Sequence, residues 1–162
     1  MISIRAAAAA DVPLILGFIR ELAAYERLSH EVVADEAALR RTLFAATPAA
    51  EVLIAELDEQ PVGFALFFAS YSTFLAKAGL YLEDLFVQPA ARGRGVGRAL
   101  MVELARVTVR RDYGRFEWSV LDWNAPALEF YRRLGAAPMA EWTVQRLTGA
   151  PLEALAAAGR TE

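Results

Sequence analysis

A single α/β (α+β) domain with a mixed sheet is the fold class that the sequence predicts, and three observations predict it. The length of 162 residues suits one domain. Strand-like and helix-like segments follow one another in the order β-α-α-β-β-β-α-β-α-β. Neither an internal repeat nor an interdomain linker interrupts that order, and a composition 56% apolar and 23% charged supplies enough material for a core.

The elements follow in turn. Residues 2–6 read as a short first strand. Asp11 is placed to cap a helix over roughly 12–27, with Pro13 tolerated in the first turn. Leu14, Phe18, Leu22 and Tyr25 recur there at helical spacing. A second helix covers roughly 35–46 and ends before Pro48. Residues 51–58 form a strand, Glu59-Gln60-Pro61 a tight turn, and residues 62–71 the returning hairpin partner. A strand over 79–87 leads into a glycine-rich turn and a helix over 96–111, which Asp112-Tyr113-Gly114 stops. Residues 115–121 form another strand. Asn124 caps a helix over 126–134 that Pro126 opens and Gly135 closes. Residues 142–148 are expected to be a final strand. The domain is expected to span 1–150, with 151–162 as a C-terminal tail that begins as a loosely held helix.

Composition narrows the chemistry. There is no cysteine, so disulfides, thiolate metal sites and a cysteine-bound intermediate are excluded. The one histidine, His30, cannot build a multi-histidine metal centre, and no metal is expected. Net charge is −3, which argues against nucleic acid as the main partner. The charge is uneven: residues 1–91 carry 12 acidic and 6 basic side chains, and residues 92–162 carry 8 acidic and 11 basic. An anionic half suits a cationic substrate and a cationic half an anionic cofactor, although two ordinarily solvated surfaces give the same counts. The apolar start is interrupted by Asp11 and Pro13 and continues amphipathically. It is expected to be folded domain rather than a targeting segment or membrane span, with a cytoplasmic location by default.

The most informative stretch is 79–111, GLYLEDLFVQPAARGRGVGRALMVELARVTVRR. An apolar strand runs into a turn with glycines at 93, 95 and 97 and arginines at 92, 94 and 98, and a long helix follows. Unpaired N–H groups at a helix start, with the positive end of its dipole, attract an anion such as a phosphate. The turn lacks the Gly-Lys-Ser/Thr ending of a P-loop, and its glycine spacing is not the dinucleotide fingerprint.

Two blocks carry a family resemblance. Arg92-Gly93-Arg94-Gly95-Val96-Gly97 resembles the cofactor loop of the GNAT superfamily of acetyl-CoA-dependent N-acetyltransferases, and NAPALEFYRRLGA (124–136) resembles that family's second conserved segment. A narrower likeness to the diamine (spermidine/spermine) and thialysine N-acetyltransferases lies in Ala24-Tyr25-Glu26, in Tyr81-Leu82-Glu83-Asp84-Leu85-Phe86-Val87 and in Trp123-Asn124-x-Pro126. The resemblance implies a central, mostly antiparallel mixed sheet flanked by helices, acetyl-CoA as acetyl donor, and a homodimer with surfaces near 62–75 and the C-terminal segment as candidates. It also implies that amides of Gly93, Arg94, Gly95, Val96, Gly97 and Arg98 cradle a pyrophosphate, with Arg92, Arg94 and Arg98 adding charge. Main-chain groups of Leu85, Phe86 and Val87 would bond the pantetheine arm. Asn124 would bond the pantetheine, cap its helix, or both.

Amine acetylation needs a deprotonated amine, and an alkyl amine titrating near ~10.4 is only about one part in a thousand nucleophilic at neutral pH. Glu83, a carboxylate within an otherwise apolar strand, is the leading candidate base. Burial is expected to raise its pKa, and the alternative is a structural acid at a bulge. Its neighbour Asp84 is read first as structural. The departing thiolate, near ~8.5, needs only a modest acid. Tyr131 matches the family's tyrosine in that role and also aligns with cofactor contacts. The subgroup likeness gives Tyr25, Glu26 and Glu83 to the amine, with Glu141 as a weaker acidic contact. Trp118, Trp123 and Trp142 are expected to pack rather than stack on substrate, and His30 to have no catalytic part. The resulting function is direct acetyl transfer from acetyl-CoA to a primary amine of a small cationic molecule. The alternatives are an amino-acid or protein N-terminal acetyltransferase and a non-catalytic acetyl-CoA-binding module.

Overall fold

The computed structural model describes residues 1–158. Its elements run β1 (Ile2–Ala6), α1 (Val12–Tyr25), α2 (Glu36–Leu43), β2 (Glu51–Leu57), β3 (Gln60–Ser72), β4 (Lys77–Val87), α3 (Val96–Arg110), β5 (Phe116–Trp118), α4 (Ala125–Arg133) and α5 (Gly149–Ala157). The five strands form one sheet in the order β1-β2-β3-β4-β5, antiparallel except for the parallel β4–β5 pair. This is the mostly antiparallel mixed sheet of an α+β domain. By contacts the chain forms two compact units, Met1–Ser119 and Val120–Glu162.

The first unit has three layers. Alternation along β2 and β3 sends Val52, Ile54 and Phe64 to one face, where they meet Val12, Ile15, Leu16 and Phe18 of α1, Leu39 and Leu43 of α2, and Phe86 of β4. Phe18 lies between Phe64 and Phe86, with ring centroids 5.7 and 6.2 Å away. Burying each such ring stabilises the fold by about 1.5–3 kcal/mol. α3 contacts β1 to β4 from the other side and buries Val96, Leu100, Met101, Leu104 and Val107.

Polar ties close the corners of this unit. Asp11 does not cap α1 as expected: its carboxylate accepts from both terminal nitrogens of Arg5 (2.7 and 2.9 Å) and from the Ala8 amide (2.7 Å). Arg5 Nε in turn donates to Glu56 (2.7 Å), so one guanidinium joins β1, β2 and the approach to α1. Those bonds outcompete the cap because a guanidinium fork matches a carboxylate bidentately. Asp35 does cap α2, accepting from Ala38 N at 2.7 Å.

Two further expectations change. Residues 142–148 form no strand; they are irregular chain with every residue exposed, because no ladder partner meets them among the described residues. The strand expected over 115–121 shortens to Phe116–Trp118. α5 begins at Gly149, ahead of the expected start of the tail at 151, and all its positions are exposed. Residues 159–162 of that tail lie outside the described residues.

Candidate active site

β4 organises the site through one extra residue. Leu80 pairs with Ala69, Leu82 with Phe67, Asp84 with Leu66 and Phe86 with Phe64, so Glu83 is a β-bulge with no partner of its own on β3. Directly paired residues share a face. The bulge therefore turns Asp84 and Phe86 to the α1–α2 side, whereas unbroken alternation would have kept them with Leu82. This corrects the expectation that burial falls on Glu83: Glu83 is exposed, and Asp84 is the half-buried acid. Burial, reinforced by the charges of Glu83 and Glu26, pushes the Asp84 carboxyl up to about 6. Burial also raises the Glu26 carboxyl. Glu83 and Glu26 thus bear on Asp84 from two elements and disfavour its charge, which a cationic group relieves.

The same strand offers a free edge. The β4–β5 ladder ends at Leu82–Trp118, so from Asp84 to Val87 the pairing partner among the described residues is β3 alone. Main-chain groups on that open side meet any extended ligand before the chain reaches the turn. Val87 O is already engaged, accepting from Arg92 Nε at 2.9 Å.

In the turn, Gly93 (φ +73°) and Gly95 (φ +88°) hold left-handed conformations that a side chain would strain. Gly95 is the N-cap of α3, and the first bond into the helix runs from Ala99 N to Gly95 O at 2.9 Å. The amides of Val96, Gly97 and Arg98 fall in the opening turn, and among the described residues no carbonyl accepts from them. The three arginines diverge. Arg92 lies over the Tyr25 ring at 4.6 Å and beside the Phe86 ring at 5.7 Å. Arg94 reaches Asp58 at 3.6 Å, an acid that also pairs with the N-terminal amine. Arg98 is exposed and has no ion pair among the described residues.

Tyr25 is the last residue of α1 and Glu26 its C-cap; Arg27 follows at φ +63° and turns the chain away. His30 lies in a surface turn, 3.3 Å from Glu31. Trp118 packs on Phe116 with ring centroids 4.9 Å apart, as expected of a packing residue.

In the second unit Asn124 caps α4, its Oδ1 accepting from Ala127 N at 3.3 Å. Two bonds, Gly135 N to Arg132 O (3.0 Å) and Ala136 N to Tyr131 O (3.2 Å), close the helix. Tyr131 is half-buried, with its ring 5.2 Å from that of Phe130. Trp123 (52% exposed) and Trp142 (74% exposed) are more open than the packing role expected of them, and Glu141 is also exposed.

Two participants escaped the sequence reading: Asp84 as the buried acid, and Arg92 as the partner of Tyr25. The doublet Glu83-Asp84 was visible; the bulge that decides between its members was not, since it depends on how β3 pairs.

Comparison with known proteins then gives a consistent result. The profile of the Acetyltransferase (GNAT) family matches residues 19–136. The chain is 37% identical to bovine (Bos taurus) thialysine N-epsilon-acetyltransferase, over 96% of this chain and 97% of that protein. It is 34% identical to L-ornithine N5-acetyltransferase NATA1 of Arabidopsis thaliana, over 94% of this chain and 86% of that protein. An integron cassette protein from the mobile metagenome of V. cholerae superposes with a TM-score of 0.81 at 26% identity, covering 97% of this chain and 98% of that one.

Proposed function

The chain belongs to the GNAT acetyltransferase family, and we propose that it transfers the acetyl group of acetyl-CoA to a distal primary amine of a small cationic molecule. Its relatives acetylate ornithine and thialysine, by their names. We extend that chemistry to this chain and take an amino acid bearing a side-chain amine, or a polyamine, as the acceptor class. The observation that carries the reading is β4, which unites an open edge, a half-buried acid and a left-handed glycine turn within twelve residues, 84–95.

The residues fit a CoA-type donor. Acetyl-CoA supplies a thioester-activated acetyl group. The amides of Gly93 through Arg98 hold its pyrophosphate at the positive end of α3. Arg98, which among the described residues has none of the ion-pair, carbonyl or ring contacts that occupy Arg94 and Arg92, answers the phosphate charge better than either. Main-chain groups of Leu85 and Phe86 orient the pantetheine arm, with Asn124 contributing alongside its capping bond.

On the amine side, Glu26, Glu83 and Asp84 form an anionic wall that draws in a protonated amine. Glu83 takes the proton from the attacking nitrogen, directly or through water, and Asp84, titrating near 6, stabilises the ammonium before it is lost. Tyr25 and Glu26 hold the remainder of the substrate. Tyr131, by the family resemblance, would donate its phenolic proton to the departing sulfur. The proposal extends to a catalytic domain over 1–150 and to a cytoplasmic homodimer. Exposed Tyr71, Phe74 and Leu75 support the surface near 62–75 as its contact.

A thiol-release assay with acetyl-CoA against ornithine, thialysine, lysine, diamines, spermidine and N-terminal peptides tests this. Release with the side-chain amines is expected; none with any amine refutes acetyl transfer, and release with the peptides alone refutes the acceptor class.

A further inference from the structure

Arg92 joins two parts of the molecule that sequence keeps 67 residues apart. It sits in the turn between β4 and α3, where its Nε–H donates to Val87 O at 2.9 Å. That bond fixes the plane of the guanidinium, which lies 4.6 Å from the centroid of the Tyr25 ring and 5.7 Å from that of Phe86. Phe86 is buried in the core between sheet and α1, so one side of the arrangement is rigid. Tyr25 is the last residue of α1, and Glu26, the next, shares its charge environment with Asp84. A guanidinium is suited to this task and an ammonium is not, because a planar group donates in its plane while its face lies on a ring.

We propose that Arg92 is a positioning residue that couples the cofactor turn to the amine-binding end of α1. Ordering of Gly93–Arg98 by acetyl-CoA fixes Arg92, Arg92 fixes Tyr25, and Tyr25 sets Glu26 against the amine. The inference rests on the function proposed above. It takes Arg92 out of phosphate binding, a role its commitments to Val87 O and two rings leave to Arg98. Because coupling is reciprocal, the amine must tighten acetyl-CoA binding by the factor that acetyl-CoA tightens amine binding. An exposed cation–ring contact makes that factor about 2- to 5-fold.

Hydrogen exchange on the full chain with acetyl-CoA as the probe tests the coupling without needing turnover. The Glu26 and Leu28 amides bond to Leu22 O (2.9 Å) and Ala23 O (2.7 Å), so their exchange reports on order at the end of α1. In the unmodified protein, acetyl-CoA should slow exchange both at 93–98 and, by about 2- to 5-fold, at 26–28. In Arg92→Met the protection at 93–98 should persist while that at 26–28 disappears. Tyr25→Leu should behave as Arg92→Met does, and Tyr25→Phe, which keeps the ring face, as the unmodified protein does. Should Arg92→Met fail to fold, Arg92→Lys keeps the charge and is expected to lose the protection at 26–28. Protection at 26–28 that survives in Arg92→Met or Arg92→Lys, or its absence in the unmodified protein while 93–98 is protected, overturns the coupling alone. No protection at 93–98 in the unmodified protein overturns the cofactor assignment and the coupling with it.

Discussion

Replacing Asp84 by asparagine should make the protein more stable at neutral pH and leave it unchanged in acid. Asp84 has an ordinary carboxyl value of 3.8 and is pushed up to about 6 in the folded chain, first by burial and then by the charges of Glu83 and Glu26. A shift of about two units corresponds to roughly 3 kcal/mol. Asp84 is only half-buried, and solvent screening reduces that to about 1–3 kcal/mol. The sign follows from proton binding. Between about pH 4 and pH 6 the folded form keeps the proton that the unfolded form has released, so stability falls as pH rises through this window and stays lower above it. The substituted amide has no proton to lose and keeps the shape of the protonated acid. Other carboxylates act in the opposite sense: Asp11, Glu51 and Glu56 are held low by arginine partners and lose stability as pH falls. The informative quantity is therefore the difference between the two proteins. Urea unfolding from pH 3.5 to pH 8 should give a difference near zero at the acid end, rising to about 1–3 kcal/mol in favour of Asp84→Asn above pH 6.5. Parallel stability curves would refute the claim that the bulge buries this carboxyl.

Three other substitutions probe the rest of the site. Gly63→Ala places a methyl 2.5 Å from Phe86 O and 3.2 Å from the Val87 Cα, both backbone, so β3 and β4 must part. It should cost about 1–3 kcal/mol in urea unfolding and weaken acetyl-CoA binding measured by calorimetry; unchanged values for both would show the strands to be yielding there. Gly95→Val puts a branched side chain at φ +88° in the turn and should abolish acetyl-CoA binding, and retained affinity would mean the turn does not hold the pyrophosphate. Tyr131→Phe should cut turnover by about 10²- to 10⁴-fold with acetyl-CoA affinity nearly unchanged, and undiminished turnover would remove Tyr131 as the acid.

The parts of this molecule that local chemistry decides were legible in the sequence. α1, β2, β3, β4, α3 and α4 fall within a few residues of their expected bounds, because apolar spacing and Gly, Pro and Asn punctuation act over short range. The glycine turn was legible for the same reason. What escaped depends on residues far apart in the chain. Asp11 had the right position for a cap, but Arg5, itself held by Glu56 across the β1–β2 pair, claims it. The segment 142–148 was expected to be a final strand, yet a strand requires a partner and none meets it among the described residues. Arg92 looked like one of three equivalent cations until α1 brought Tyr25 beneath it.

The single unmatched residue in β4 stands outside the ladder that sets which way its neighbours point. Exchanging Glu83 for another side chain leaves every later residue pointing as before. Deleting it brings Asp84 next to Leu82, still opposite Leu66, and keeps Phe86 opposite Phe64 in its ring stack. A deletion of Glu83 should therefore spare the core face of β4 and remove only the bulge and its acid, whereas an insertion beside it adds a second residue that β3 cannot match. The interval between Leu82 and Phe86 can close by one residue without turning the ring, because the rungs of β3, and not the residue count of β4, decide the face.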